Sequence, residues 1–440
     1  MGEAVEELCA RLVRLDTTNL GGGAGKPERP AAELVAGLLT DAGMDPVLLE
    51  RAPGRSNVVA RWRGADPSLP ALLVQAHLDV VPADPAEWSV HPFSGEIRDG
   101  FVWGRGSVDM KDMAATVCTV AARWAAEGRG PRRDVVLAFV ADEEDAGEFG
   151  AHWLVEQHPH LFEGCAAAIS ESGAYTVHAT STTGAPVRLY PVGTAERGTA
   201  HLLLTATGRA GHGSRRNDEN AVARLTHALS RLADHQWPVH LIPSVRAYLE
   251  RAGAALGVPV DFDAGAEVDV DALVAGLGRE AAKVVENTVR NSTRPTVLSA
   301  GYKVNVIPGV AQAQVDTRVL PGTEDHLLAE VDRLLGPGIS RQFVSRQPPV
   351  ESRVDSPWFD AMAAALRAHD PAAVVVPYCM GGGTDAKAFS RLGIECFGFA
   401  PLLLPPGFDY KAMAHGVDER VPVEGLRFGV EVLDSFLSSV

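Results

Sequence analysis

The sequence predicts an α/β protein whose mainly parallel sheet is interrupted by a smaller α+β domain. Three observations carry this expectation. Apolar runs of strand length alternate with helical segments over the first 195 residues, the texture changes at Arg197, and the alternation returns from Ser356. Alternation of that kind feeds successive strands into one sheet covered by helices. A chain of 440 residues also exceeds what a single core usually organises. The expected division is therefore 1–195 and 351–440 as two parts of one domain, with 196–350 inserted between them.

In the first part, PALLVQA (70–76), DVVLAFVA (134–141) and CAAAIS (165–170) read as buried strands. Helices are expected from Met110 to about Gly128 and near 148–157. In the insertion, GTAHLLLTATG reads as a strand and NAVARLTHALSRLADH as a helix, followed by strands at 296–300 and 310–320, a helix after Thr323 and a strand near 340–346. The Ala/Gly-rich 252–280 stretch is expected to be mixed helix and loop, and the whole 238–295 segment to lengthen the insertion. In the last part WFDAMAAALRAHD reads as a helix, AAVVVPY and IECFGFA as strands, and a final helix starts at Val423.

A net charge of -16 opposes binding to nucleic acid or anionic lipid, both of which are polyanions. A small-molecule substrate is expected instead. The N-terminal MGEAVEELCARLVRL is an acidic amphipathic pattern without the basic flank and apolar core of a signal peptide, and no apolar run reaches membrane-spanning length, so a cytoplasmic location is expected. Five scattered cysteines with no C-x-x-C pair suit buried free thiols. Any metal site must then use histidine and carboxylate.

Ligand-binding groups collect at the carboxyl ends of strands in open parallel sheets. The strands here deliver His77 and Asp79, then Glu143 and Glu144, then Glu171; Asp109 lies in a glycine-rich turn opening a helix, and His415 in a loop before the last helix. Each has an ordinary alternative, Asp109 as a helix N-cap and Asp142 to Asp145 as a solvated acidic loop. Together they would gather several negative charges in one crevice, which a divalent cation stabilises. Mixed imidazole and carboxylate donors suit zinc, and Co2+ or Mn2+ can occupy the same groups.

The ordered set QAHLDVVP, GRGSVDMKD, ADEED, ISESG, GRAGHGS, NVIPGVAQAQVDTRVLPG, GGGTDAKAF and HGVDE resembles the di-zinc metallohydrolases that include aminoacylase-1, carboxypeptidase G, succinyl-diaminopimelate desuccinylase and carnosine-type dipeptidases. The resemblance spans nearly the whole chain. It implies a zinc-peptidase-like catalytic domain and a lid or dimerisation insertion. It implies two Zn2+ per chain, one held by His77 and Glu171, the other by Glu144 and His415, with Asp109 bridging. Glu143 is then the general base, and Asp79 the carboxylate that holds the His77 imidazole.

His212 of GRAGHGS matches a histidine that reaches an active site, often that of a partner subunit, where it serves the oxyanion. Asn305 and Arg318 match the segment that meets a substrate's carboxylate, a task suited to a planar guanidinium. Arg318 fits a solvent-facing strand position as well. The run Gly381, Gly382, Gly383 and Thr384 offers N–H groups and a hydroxyl to the same end of a substrate, and it also fits a tight turn before a helix. The implied activity is amide hydrolysis of N-acyl amino acids. Alternatives are carboxypeptidase or dipeptidase action on short peptides and ureido-acid hydrolysis of the allantoate type. A non-catalytic relative would not need the intact ligand set.

Overall fold

The structure is a computed structural model that describes residues 3–264 and 268–440. Residues 265–267, within the stretch expected to mix helix and loop, lie outside the described residues. Its centre is a 10-stranded sheet. From edge to edge run Val177–Thr180, Pro186–Glu196, Glu395–Gly398, Cys165–Ser170, Ala71–His77, Val135–Val140, Arg55–Trp62 and Val47–Ala52, and Ala373–Met380 and Val350–Glu351 also pair with Pro186–Glu196.

The middle of this sheet is parallel, from Glu395–Gly398 through Cys165–Ser170 and Ala71–His77 to Val135–Val140. The flanks are not. Val47–Ala52, Arg55–Trp62 and Val135–Val140 pair antiparallel, as do Val177–Thr180 and Glu395–Gly398 with Pro186–Glu196. The large sheet of the expected α/β fold is therefore mixed, with a parallel middle and antiparallel neighbours on either side. The reason is local: Val47–Ala52 passes into Arg55–Trp62 through Pro53 and Gly54, and Gly54 takes φ +84°, a hairpin connection that reverses the chain.

The strand interiors alternate between two cores. Val58, Ala60, Leu72, Val74, Val135, Leu137 and Phe139 face one cluster, while Val59, Leu73, Val136, Ala138 and Val140 face the other. Successive side chains point to opposite sides of a strand, so an uninterrupted apolar run is what a doubly covered sheet requires. One face carries Val5–Val13, Lys111–Glu127, Pro357–His369 and Val423–Ser439; the other carries Ala151–Gln157 and Ala386–Phe389. Lys111–Glu127 stops at Gly128, whose φ of +65° closes the helix in the left-handed conformation.

A second sheet has the order Ser292–Ala300, Val310–Val319, Gly198–Thr207, Ile339–Gln347. Its buried face sets Ala200, Leu202, Leu204, Ala311, Ala313 and Val315 against Leu225, Ala228 and Leu232 of one helix and Leu327 and Val331 of another. This α+β unit matches the strands and helices expected there.

The segment between its two halves does not belong to it. Helices Pro243–Leu256, Val270–Gly276 and Arg279–Val285 bury Val245, Tyr248, Leu249, Leu273 and Val284 against Leu189, Val376 and Tyr378 of the large sheet. The expectation that 238–295 lengthens the lid is thus corrected for its helices, whereas Ser292–Pro295 do belong to the second sheet's edge strand. The two units join at adjacent crossings: Arg197 alone separates Pro186–Glu196 from Gly198–Thr207, and the returning Val350–Glu351 pairs with Ala195 and Glu196. Among the described residues no helix is long and apolar enough to cross a membrane.

Candidate metal centre

Strand ends, one turn and one loop bring the candidate ligands together. His77 ends the central strand, and Glu171 follows the last residue of its neighbour Cys165–Ser170. Glu143 and Glu144 follow Val135–Val140 through Asp142, whose φ is +67°. Asp109 Oδ1 lies 3.0 Å from His77 Nε2 and its Oδ2 lies 3.2 Å from His415 Nε2. His415 Nε2 is also 2.9 Å from Glu144 Oε2, and His77 Nε2 is 3.9 Å from Glu171 Oε1. Donor atoms of His77, Glu143 and Glu171 lie within 4.8 Å of one another, as do those of His77, Asp109 and Glu144.

Asp109 is not a helix cap. Met110 takes that position with no side-chain cap bond, and both Asp109 oxygens are directed at imidazoles.

Burial and crowding set the electrostatics. Burial, with the charge of Glu171, pushes the Glu143 carboxyl well up, and burial, with Asp109, does the same to Glu171. Burial also raises Glu144. Burial opposes ionisation of Asp109, but hydrogen bonds from His415 and His77 outweigh it and hold that carboxyl below the usual range. Hydrogen bonds to Asp109 and Glu144 lift His415 to about 10.

Two like charges some 4 Å apart repel by roughly 4 kcal/mol at an effective dielectric of about 20. A few such pairs equal the ~5–15 kcal/mol that holds an ordinary domain folded. On its own the protein relieves this only by adding protons, which divalent cations replace. One atom tests the fit: Glu144 Oε1 is buried with no hydrogen-bond partner, although its side chain is only 5% exposed. An orphaned carboxylate oxygen beside imidazole nitrogens, with no thiolate in the group, fits a hard or borderline divalent cation.

Asp79 sits behind the ligands and differs from expectation. The His77 Nδ1–H donates to the backbone carbonyl of Asp79 at 3.0 Å, whereas the nearer carboxylate oxygen is 3.7 Å away. That carboxylate instead accepts the N–H groups of Glu143 and Glu144, each at 3.1 Å, and Asn19 Nδ2 at 2.9 Å. The peptide holds the histidine; the side chain shapes the turn of the two glutamates.

Thr384 lines one cavity with Glu171, whereas His212, Asn305 and Arg318 make their hydrogen bonds elsewhere. His212 and Asn305 are exposed on one short ribbon, where Gly211–His212 pairs with Val306–Ile307 and Gly213 N–H donates to the Asn305 carbonyl at 2.9 Å. Arg318 pairs with Asp316 at 2.7 and 3.1 Å. Thr384 is buried, and its hydroxyl and N–H both go to Glu196, at 2.5 and 3.1 Å, so neither of its donors is free for a substrate. Gly383 has a packing reason to be glycine, since a Cβ there would lie 1.9 Å from Lys387 Cε.

The sequence reading missed the supporting polar groups. Asn19 also donates to Asp142 at 3.0 Å, Arg55 bridges Glu28 and Asp142, and Asp385 accepts Gln75 Nε2 at 2.7 Å. Asp142 and Asp385 stood inside motifs that had been singled out. Asn19 and Glu28 carried no local signal.

With carboxylates and imidazoles gathered at the ends of parallel strands, in a group where divalent cations can replace protons, the chain fits a metal-dependent enzyme. Its sequence narrows the class to amide-bond hydrolases: the chain belongs to peptidase family M20/M25/M40, whose profile matches residues 73–439. It is 27% identical to probable carboxypeptidase S-like 2 of Dictyostelium discoideum, over 84% of this chain and 72% of that protein. It is 28% identical to the N-fatty-acyl-amino acid synthase/hydrolase PM20D1 of Homo sapiens, over 84% and 74%. The fold is similar to that of the M20 family metallo-carboxypeptidase Sso-CP2 from Sulfolobus solfataricus, with a TM-score of 0.71, 19% identity and 99% of both chains covered.

Proposed function

We propose that this protein hydrolyses the amide bond of N-acyl amino acids at a centre for two zinc ions. The observation that carries the reading is Asp109, whose two oxygens face His77 on one side and His415 on the other. On this reading His77 and Glu171 would hold one ion and Glu144 and His415 the second, with Asp109 shared by both. Bound ions supply Lewis-acid polarisation of the scissile carbonyl and lower the pKa of water. Glu143 removes the proton of the attacking water and returns one to the leaving nitrogen. The Asp79 carboxylate holds the turn that carries Glu143 and Glu144 by accepting both their N–H groups.

His212 is proposed to donate to the oxyanion in the active site of a second subunit. In support, it is exposed, and on the same unit Val297, Leu298, Tyr302 and Val304 are 49, 64, 84 and 102% exposed, an apolar surface suited to dimerisation. Arg318 is proposed to exchange Asp316 for the substrate carboxylate, aided by Asn305 and the Gly381 to Gly383 backbone.

The activity of the human relative supports an acyl group on the substrate, while the Dictyostelium relative favours a second reading, carboxypeptidase action on short peptides. Hydrolysis of N-acetyl and N-lauroyl amino acids, dipeptides and ureido acids, measured side by side with zinc or cobalt added, tests this. Faster turnover of N-acyl amino acids is expected. A preference for dipeptides transfers the assignment to the peptidase reading, and a preference for ureido acids excludes both.

A further inference from the structure

Glu419, the last residue of HGVDE, has no part in the chemistry above, yet it is 0% exposed and faces Arg105, 3% exposed, from the GRGSVDMKD turn. A buried carboxylate is unfavourable unless fully engaged. Every contact Glu419 makes runs to a segment that carries a candidate ligand. Its Oε1 accepts the N–H groups of Val108 at 2.8 Å and Asp109 at 3.2 Å, and its Oε2 receives Arg105 NH1 at 2.6 Å. Arg105 NH2 in turn donates to the His415 carbonyl at 3.2 Å, and Gly104 N–H to the Glu419 carbonyl at 2.9 Å.

The loop these bonds hold has an uncommon backbone. His415 and Asp418 both take φ +60°, a region non-glycine residues rarely occupy without outside restraint. An outer tie adds to the restraint, with Ser89 N–H and Oγ donating to the Asp418 carboxylate at 2.7 and 2.6 Å.

We infer that Glu419 and Arg105 are positioning residues that set the spacing between Asp109 and His415 and thereby the affinity of the cation site between Asp109, Glu144 and His415. The path is a single chain of contacts: Asp109 peptide, Glu419 carboxylate, Arg105 guanidinium, His415 carbonyl. His77 and Glu171 need no such path: one ladder pairs His77 with Val140, and another pairs Ser170, next to Glu171, with Gly398. Asp109 faces both sites, but the tie from Arg105 to the His415 carbonyl belongs to one of them, so a variant that keeps the bond to the Asp109 N–H acts on that site. The inference rests on the two-ion reading proposed above.

Calorimetric titration of the metal-free, full-length protein with zinc tests it. Wild type is expected to bind two zinc ions per chain. Glu419→Gln keeps an oxygen for the Asp109 N–H and loses the charge opposite Arg105. By analogy with other groups that orient metal ligands, it should weaken one zinc step about tenfold or more and leave the other within about twofold. Arg105→Lys keeps a cation beside Glu419 without the reach to His415. It serves where Glu419→Gln fails to fold, and should weaken the same step by about three- to tenfold. Wild type binding a single zinc ion overturns the two-ion reading and this inference together. Two zinc ions in wild type, with both steps unchanged or equally weakened in the folded variant, overturn this inference alone.

Discussion

Asp79 accepts the backbone N–H of Glu143 at 3.1 Å, so its carboxylate acts on the centre through the peptide of the proposed base. Asp79→Asn keeps the size of the side chain and turns one acceptor into a donor, which then faces an N–H group or Asn19. A fall in kcat/KM of about 10–100-fold is expected. Steady-state kinetics on the best substrate of the panel reads it, and wild-type kinetics in the variant would contradict this role.

Glu143 should be separable from the ligands by its substitution. Glu143→Gln is expected to cut turnover by about 10²–10⁴-fold, the usual contribution of a positioned base, with metal content unchanged. Elemental analysis beside the rate measurement distinguishes the outcomes. Loss of metal with loss of rate would make Glu143 a ligand, as its proximity to His77 and Glu171 also permits.

His212 is exposed on the ribbon it shares with Val306–Ile307, and the proposal that it serves a second subunit predicts complementation. His212→Ala and Glu143→Gln proteins should each be nearly inactive alone. Mixed after dissociation, they should regain activity, because one site of the mixed dimer has an intact Glu143 from one chain and an intact His212 from the other. No recovery would place His212 in its own subunit's site or outside the chemistry.

All five cysteines are free thiols, as the absence of paired spacing suggested, and burial raises each of them, to about 12 for Cys118, Cys165 and Cys379. The thiolate is the reactive form, so at pH 8 almost none is present. Iodoacetamide at that pH should leave the native protein unmodified by mass and alkylate all five sites once it is denatured. Rapid modification of Cys9, Cys118, Cys379 or Cys396 in the native chain would contradict their burial.

What could be read beforehand followed from local pattern. The uninterrupted apolar runs before His77, Asp142 and Glu171 marked strands covered on both faces, and the polar residues at their ends marked the centre. Strand direction is not written in such runs, so the antiparallel flank beginning with Arg55–Trp62 was not legible. Nor does the 3.6-residue periodicity of Pro243–Leu256 say which sheet its apolar stripe will meet. It meets Val376 and Tyr378 of the large sheet, far away in sequence. The roles inside Asp142 to Asp145 were hidden for a similar reason: Asp142 is buried by Arg55 and Asn19, while Asp145 reaches out to the Gly22 N–H at 2.8 Å. Both contacts join parts of the chain that only the fold brings together.

The central claim is a pair of cations flanking Asp109, and anomalous diffraction from a crystal grown with zinc tests it most directly. Two peaks are predicted per chain, one beside His77 and Glu171, the other beside Glu144 and His415, with an Asp109 oxygen toward each. A single peak, or zinc away from Asp109, would contradict the account.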